Sequence, residues 1–280
     1  MRTPEPHILM TGLVFGESPR WHDGRLWFSD MSASEVMAVD LAGQSEIVAR
    51  VPTLGLGFLP DGRLLIVSMR DGLLLRRERD DSLVTHADLT SLARHPWNDL
   101  VVDGRGNAYV NNIGFDFPGG AFAPGSLALV TPDGVARQVA DGLAFPNGMA
   151  VTPDNATLIV AESYGDRLTA FDIAADGGLS NRRVWASLGG GHPDGICLDS
   201  DGAVWYGDVP ARRCVRVREG GEALETIELD RGCFACALGG ADRRTLFLMA
   251  AEFPTAAGMA GTRTGQVLTV EAPARGAGWP

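Results

Sequence analysis

Three features of this sequence predict an all-β fold, a six-bladed β-propeller. A turn followed by an apolar strand recurs six times, helical periodicity is nearly absent, and polar residues stand at matched places where apolar ones belong. The repeat comes first. It reads Asp23-Gly24-Arg25-Leu26-Trp27-Phe28, then Asp61-Gly62-Arg63-Leu64-Leu65-Ile66, then Asp103-Gly104-Arg105-Gly106-Asn107-Ala108-Tyr109-Val110. The later copies are Pro153-Asp154-Asn155-Ala156-Thr157-Leu158-Ile159-Val160, Asp201-Gly202-Ala203-Val204-Trp205-Tyr206 and Asp242-Arg243-Arg244-Thr245-Leu246-Phe247. The turn aspartates lie 38 to 51 residues apart. One four-stranded propeller blade has about that length. Asp-Gly between apolar runs marks a hairpin, because the turn needs positive φ.

A second strand pattern follows each copy, as in Val36-Met37-Ala38-Val39 or Cys214-Val215-Arg216-Val217, and then a polar turn and an outer strand such as Ala136–Ala140. Six copies imply six blades around one axis. The residues before Glu17 supply an outer strand to the last blade and close the ring. Leu89–Arg94 is the best candidate for a helical turn, and the glycine-rich stretch 117–125 is a loop that could cover one face. No linker, charge run or low-complexity segment interrupts the chain, so residues 1–280 are expected to form a single domain.

Composition excludes several functions. The 280 residues are 45% hydrophobic and 21% charged, as in ordinary globular proteins. Lysine is absent, and the formal net charge is −11. The basic runs go no further than Arg76-Arg77 with Arg79, or Arg212-Arg213, so no nucleic-acid partner is expected. No apolar stretch approaches the roughly 18 residues of a membrane span. The segment from Met1 to His7 lacks the regions of a signal peptide. A cytoplasmic location, without membrane association and as a monomer or weak homo-oligomer, is the expectation. Four cysteines are too few for a disulfide scaffold. Cys233-Phe234-Ala235-Cys236 has redox or zinc spacing, but without a second pair or a His cluster it reads as small buried strand residues.

The strand before each Asp turn is the innermost of its blade, and its start faces the channel. Five to seven residues upstream of four turns stand Glu17, Asn98, Asn147 and Asp194. Blades two and six break the pattern with Gly55-Leu56-Gly57 and Cys233–Cys236. The four residues form a ring of two carboxylates and two amides with a formal charge of −2. Hard cations take this donor set, and a cation would resolve the burial of the carboxylates. The other reading is that Asn and Asp only satisfy turn backbones at the channel mouth. Four residues at matched places favour a central metal-binding channel. No Gly-x-Ser-x-Gly elbow is present, and Ser18 and Ser163 lack a His partner by spacing, so a serine nucleophile is not expected.

At these residues the chain resembles the senescence-marker-protein/gluconolactonase family, which includes regucalcin-like propeller lactonases. The resemblance covers nearly the whole chain. It is carried by Gly16-Glu17-Ser18-Pro19-Arg20-Trp21, by Asn98-Asp99 with Val102–Gly106, and by Phe145-Pro146-Asn147-Gly148. Ala161-Glu162-Ser163, Pro193-Asp194-Gly195 and Gly239-Gly240-Ala241-Asp242 continue it. The resemblance implies one divalent cation held by Glu17, Asn147 and Asp194, with Asn98 touching metal or substrate. Ca²⁺ is the first expectation, and Mn²⁺, Zn²⁺ or Mg²⁺ are the alternatives. It implies hydrolysis of a small-molecule lactone or ester, with Asp194 as general base and Asn98 assisting. Asp99, His192 and Asp208 are candidates for a supporting layer.

Sugar-lactone hydrolases of that family carry an Arg two residues before the Asn, and here that place is Pro96. The family's acidic substrate contact falls near Asp116. Substrate-binding candidates are Asn98, Trp97, Asp116, Phe145 and His192. A loop histidine such as His192 is more often a solvated or capping residue. With Phe15, Phe115 and Phe117 beside these, the mouth is aromatic, and a less polar lactone or ester is expected. Two alternatives remain: a phosphotriesterase of the diisopropylfluorophosphatase type, in which the same carboxylate attacks phosphorus, and a non-catalytic calcium-binding propeller.

Overall fold

The computed structural model describes residues 5–94, 96–252 and 262–279. A lone outer strand, β1 (His7–Leu13), precedes blade 1. Blade 1 is β2 (Gly16–His22), β3 (Arg25–Asp30), β4 (Glu35–Val39) and β5 (Ser45–Arg50). Blade 2 is β6 (Thr53–Phe58), β7 (Leu64–Ser68), β8 (Leu73–Arg77) and β9 (Leu83–Asp88). Blade 3 follows as β10 (Trp97–Val102), β11 (Ala108–Asn112), β12 (Gly125–Val130) and β13 (Ala136–Leu143). Blade 4 is β14 (Pro146–Val151), β15 (Thr157–Glu162), β16 (Arg167–Ile173) and β17 (Leu179–Ser187). Blade 5 is β18 (Pro193–Leu198), β19 (Val204–Asp208), β20 (Arg213–Val217) and β21 (Ala223–Glu228). Blade 6 has β22 (Gly232–Gly239), β23 (Thr245–Ala251) and β24 (Gly265–Glu271). Its fourth strand is β1, in the order β1-β24-β23-β22, so the two ends of the chain close the ring as expected. The fold is an all-β six-bladed propeller.

Each blade is an antiparallel meander, and its side chains alternate between the two faces of the sheet. Neighbouring blades cover both faces of the inner strands, which feed two cores each, while the outermost strands such as β5 and β9 stay largely exposed. In blade 3, Leu100, Val102 and Val110 pack toward blade 2 with Leu65, Val67 and Leu74. Val101, Tyr109 and Leu127 pack the other way, against Leu158 and Val160 of blade 4. Four more clusters fill the remaining inter-blade spaces in the same manner. The ring therefore has no single centre of packing; six similar layers hold it together.

Leu89–Arg94 is a turn, closed by Leu92 N donating to the Leu89 carbonyl, and not a helix. Among the described residues the only helical piece is a 3₁₀ turn at Met31–Ala33. After β24 the chain crosses the end of the channel where the inner strands finish. There Trp279 bridges Val151 and Gly276 bridges Asp199. No described helix is long and apolar enough to cross a membrane. Residues 1–4, read above as lacking signal-peptide features, lie outside the described residues.

Candidate functional site

The six inner strands β2, β6, β10, β14, β18 and β22 surround the axis, and each touches the next. Every one carries a register irregularity near its start: Glu17/Arg20, Thr53/Leu56, Trp97/Leu100, Pro146/Met149, Pro193/Ile196 and Cys233/Ala235. A bulge bends the strand and re-aims a side chain. Glu17, Asn98, Asn147 and Asp194 all sit in these irregular segments. Two glycines let the strands close up here. A Cβ on Gly148 would lie 2.5 Å from Ile196 N, and one on Gly195 would lie 2.7 Å from the Ala235 Cα. Ser18 (φ 49°) and Phe145 (φ 57°) hold left-handed backbone beside the ring, a conformation that persists only where surroundings enforce it.

The amides are connected. Asn98 Nδ2 donates to Asn147 Oδ1 at 3.4 Å and to the Pro146 carbonyl at 3.5 Å. Asn147 Nδ2 donates to Ser163 Oγ at 3.3 Å, and Ser163 Oγ donates to the Pro193 carbonyl at 2.7 Å. The Asn147 amide also lies beside Asp194 and favours its ionised form. Asn111 Nδ2 donates to the Asn147 carbonyl at 2.6 Å and stitches blade 3 to blade 4.

The carboxylates fall into two kinds. Asp99 is buried but compensated: its Oδ1 accepts from Ser18 Oγ at 2.8 Å and from Arg20 Nη2 at 3.2 Å. Arg20, 6% exposed, also donates to the Leu100 carbonyl at 2.6 Å. Glu17 and Asp194 have no cationic partner among the described residues. Glu17 accepts only a backbone bond from Ser18 N at 3.2 Å, and Asp194 Oδ1 is buried with no hydrogen bond. Burial, then the Asp194 and Asp99 charges, push the Glu17 carboxyl well above its ordinary range. Burial, then Asp99, do the same to Asp194, against the opposing Asn147 bond. Buried charges without a partner are costly. A cation is the group that would satisfy them, and the donor set fits a hard ion. Among the described residues no site is built from three or more His, Cys, Asp or Glu; the oxygen ring consists of two acids and two amides.

The other sequence candidates divide. Phe145 lines the mouth in an aromatic cluster: its ring lies 5.6 Å from Phe115, 5.1 Å from Phe117 and 4.9 Å from Tyr164. Phe122 joins through Phe115, and Phe15 meets Phe234 edge-on at 4.3 Å. Trp97 is not at the mouth. It is 1% exposed and packs in the core between blades 2 and 3, because alternation turns it away when Asn98 faces the axis. Trp97→Phe is therefore expected to cost about 1–3 kcal/mol of stability and to leave KM unchanged, as denaturant unfolding beside steady-state kinetics can show. His192 is exposed, with Nε2 3.9 Å from Asp166 Oδ1, outside the ring. Asp116 is exposed on the loop after β11, where its carbonyl accepts from Gly120 N. Asp208 is closed within its own blade by Arg213 at 3.1 Å. Of the supporting candidates only Asp99 joins the ring.

Arg20, Asn111, Ser18 and Ser163 are the partners that sequence reasoning did not assign. An Arg three residues before the first turn, within an inner strand, and polar residues closing the otherwise apolar strand of Asn111, were the available signals.

Fold and site together define a six-bladed propeller with a polar, acid-and-amide site at one end of its channel. The family model described as SMP-30/Gluconolactonase/LRE-like region matches residues 15–252, and the chain belongs to that family. It is similar to a 6-deoxy-6-sulfogluconolactonase of Pseudomonas putida, 27% identical over 84% of this chain and 82% of that one. It is also similar to the diisopropyl-fluorophosphatase of Loligo vulgaris, 28% identical over 60% of this chain and 61% of that one. The solved structure of a calcium-binding protein, regucalcin, from Agrobacterium tumefaciens shares the fold, with a TM-score of 0.82 and 21% identity over 100% of this chain and 99% of that one.

Proposed function

We propose that this chain is a divalent-metal-dependent hydrolase that opens a lactone or similar small ester at the axial ring. The observation that carries this reading is the pair of half-buried carboxylates without a cationic partner among the described residues, Glu17 and Asp194, beside two amides at the channel axis. Glu17, Asn147 and Asp194, with Asn98, would hold the ion, Ca²⁺ before Mn²⁺, Zn²⁺ or Mg²⁺. When bound it would supply Lewis-acid polarisation and acidify a water. Asp194 accepts the proton of the attacking water through its unpartnered Oδ1. Asn98 and Asn147 orient the substrate through their amide groups. Arg20 and Ser18 keep Asp99 occupied, so that it does not compete as a base. The five-ring cluster at the mouth favours a substrate less polar than a sugar lactone. The similarity to a fluorophosphatase makes phosphotriesters the competing class, with Asp194 as nucleophile, and a binding-only propeller is the third reading.

The test is hydrolysis of sugar lactones, alkyl lactones and a phosphotriester by chelator-stripped protein resupplied with Ca²⁺, Mn²⁺, Zn²⁺ or Mg²⁺. Metal-restored lactone turnover supports the reading. Metal binding without turnover on any substrate rejects it in favour of a binding protein. We further propose that residues 1–280 act as one domain, as a monomer or weak homo-oligomer. The four free cysteines support a reducing, cytoplasmic setting.

Cation binding should also stabilise the fold. At a hundredfold excess over Kd the gain is about 2.7 kcal/mol, readable as a rise in Tm. The pH dependence follows from the raised carboxyl pKa values. Such groups destabilise the fold while ionised and cease to do so as they protonate. The stripped protein therefore gains stability as pH falls through the raised pKa values, and the cation's increment in Tm shrinks in the same window.

A further inference from the structure

Below the ring, toward the channel end crossed by Gly276–Trp279, lie Cys197 and Cys236, two of the four cysteines, which come from three strands. The Cys197 thiol of β18 donates to the Cys236 sulfur of β22, with the sulfurs 3.7 Å apart. Cys236 Sγ also reaches the Trp205 carbonyl at 3.4 Å and the Gly195 carbonyl at 3.7 Å. Cys214 of β20 and Cys233 pack in the same buried core as Cys236. None of the four is in a disulfide. Sulfurs at 3.7 Å touch with no room for an atom between them, so a small approach brings them to bonding distance, about 2.05 Å.

A cavity of about 40 Å³ opens beside this pair, lined by Cys197, Cys236, Arg20, Leu238, Arg243 and Trp279. A water needs roughly 10–15 Å³ of such space. The cavity therefore admits a molecule of the size of water or hydrogen peroxide and excludes a tripeptide disulfide. Cys197 is half-buried, whereas Cys214, Cys233 and Cys236 are fully buried. Burial opposes ionisation of Cys236, but the donating Cys197 thiol and the Arg20 charge favour it and pull the group below the ordinary thiol range. A thiolate is the form that reacts with peroxide.

We propose that Cys197 and Cys236 form a peroxide-sensitive dithiol that closes into a disulfide between blades 5 and 6. The Cys236 sulfur attacks one peroxide oxygen, the O–O bond breaks, and the departing hydroxide takes a proton to leave as water. The Cys197 sulfur then attacks the sulfenic sulfur, the S–O bond breaks, and a second water leaves. Two thiols lose two electrons and two protons, and one hydrogen peroxide is reduced to two waters. The cross-link would tie β18 to β22 and remove the thiol contact to the Gly195 carbonyl, next to Asp194. This inference does not depend on the hydrolase reading.

The test treats the full chain with hydrogen peroxide, and separately with glutathione disulfide, then counts thiols after denaturation and maps peptides without reduction. The expected result is a fall from four free thiols to two, an intact mass lower by two hydrogens, and a Cys197–Cys236 cross-linked peptide. A thiol reductant restores the count, and glutathione disulfide acts more slowly on the folded chain. In Cys197→Ser the same treatment should leave a sulfenic acid on Cys236 that dimedone traps. Four thiols remaining, a Cys214–Cys233 cross-link, or oxidation to sulfinic acid without any cross-link would each overturn the proposal.

Discussion

Asp194→Asn is expected to lower kcat for lactone hydrolysis by about 10²–10⁴-fold, the usual contribution of a positioned general base. The substitution keeps an oxygen at the axis and removes the group that can accept a proton. Asp194 is the acid whose Oδ1 has no protein partner. Assay at saturating cation separates the two roles of the residue. If turnover recovers fully when more metal is added, Asp194 acts only as a ligand. If kcat stays low at saturation, it also carries the proton. A loss confined to KM would contradict both assignments. Ser18, Asn98 and Asn147 should behave differently, since they orient groups and do not exchange protons.

The second large effect concerns Arg20. Replacement by Met retains much of its volume but leaves Asp99 a buried acid without its cation. Removing one partner of a buried ion pair costs about 3–5 kcal/mol, and denaturant unfolding should show that loss. Asp99 is then a third uncompensated carboxylate beside Glu17 and Asp194, whose charges already disfavour one another. Arg20→Met combined with Asp99→Leu should recover part of the lost stability, because the pair is removed together. Equal stability of Arg20→Met and the parent would show that the Arg20–Asp99 contact, 3.2 Å long, does not hold the ring.

These two residues also mark how far the sequence could be read. The six turns were legible because a tight hairpin demands Asp-Gly or its equivalents, and that demand repeats with each blade. Closure by β1 followed from the same count. Glu17, Asn98, Asn147 and Asp194 were legible because polar residues at repeat-matched starts break an apolar pattern. Arg20 was hidden: its partner, Asp99, comes from blade 3, two blades away, and only the ring geometry brings them together. The cysteines were hidden for the same reason. Cys233 and Cys236 look like the natural pair along the chain, yet the sulfur that Cys236 meets at 3.7 Å belongs to Cys197 of the neighbouring blade. Trp97 is turned into the core because its neighbour Asn98 faces the axis and successive strand residues face opposite ways. Asp116 and His192 lie on exposed loops, whose placement no periodicity encodes.

The proposed hydrolase requires that the axial acids and amides hold one divalent cation. Calorimetric titration of the chelator-stripped chain with Ca²⁺, beside Glu17→Gln and Asp194→Asn, tests it most directly. One ion per chain is expected, with affinity reduced strongly by either substitution because each removes half of the ring's charge. Binding that is undiminished in both variants, or no binding of any divalent ion by the parent chain, would contradict it.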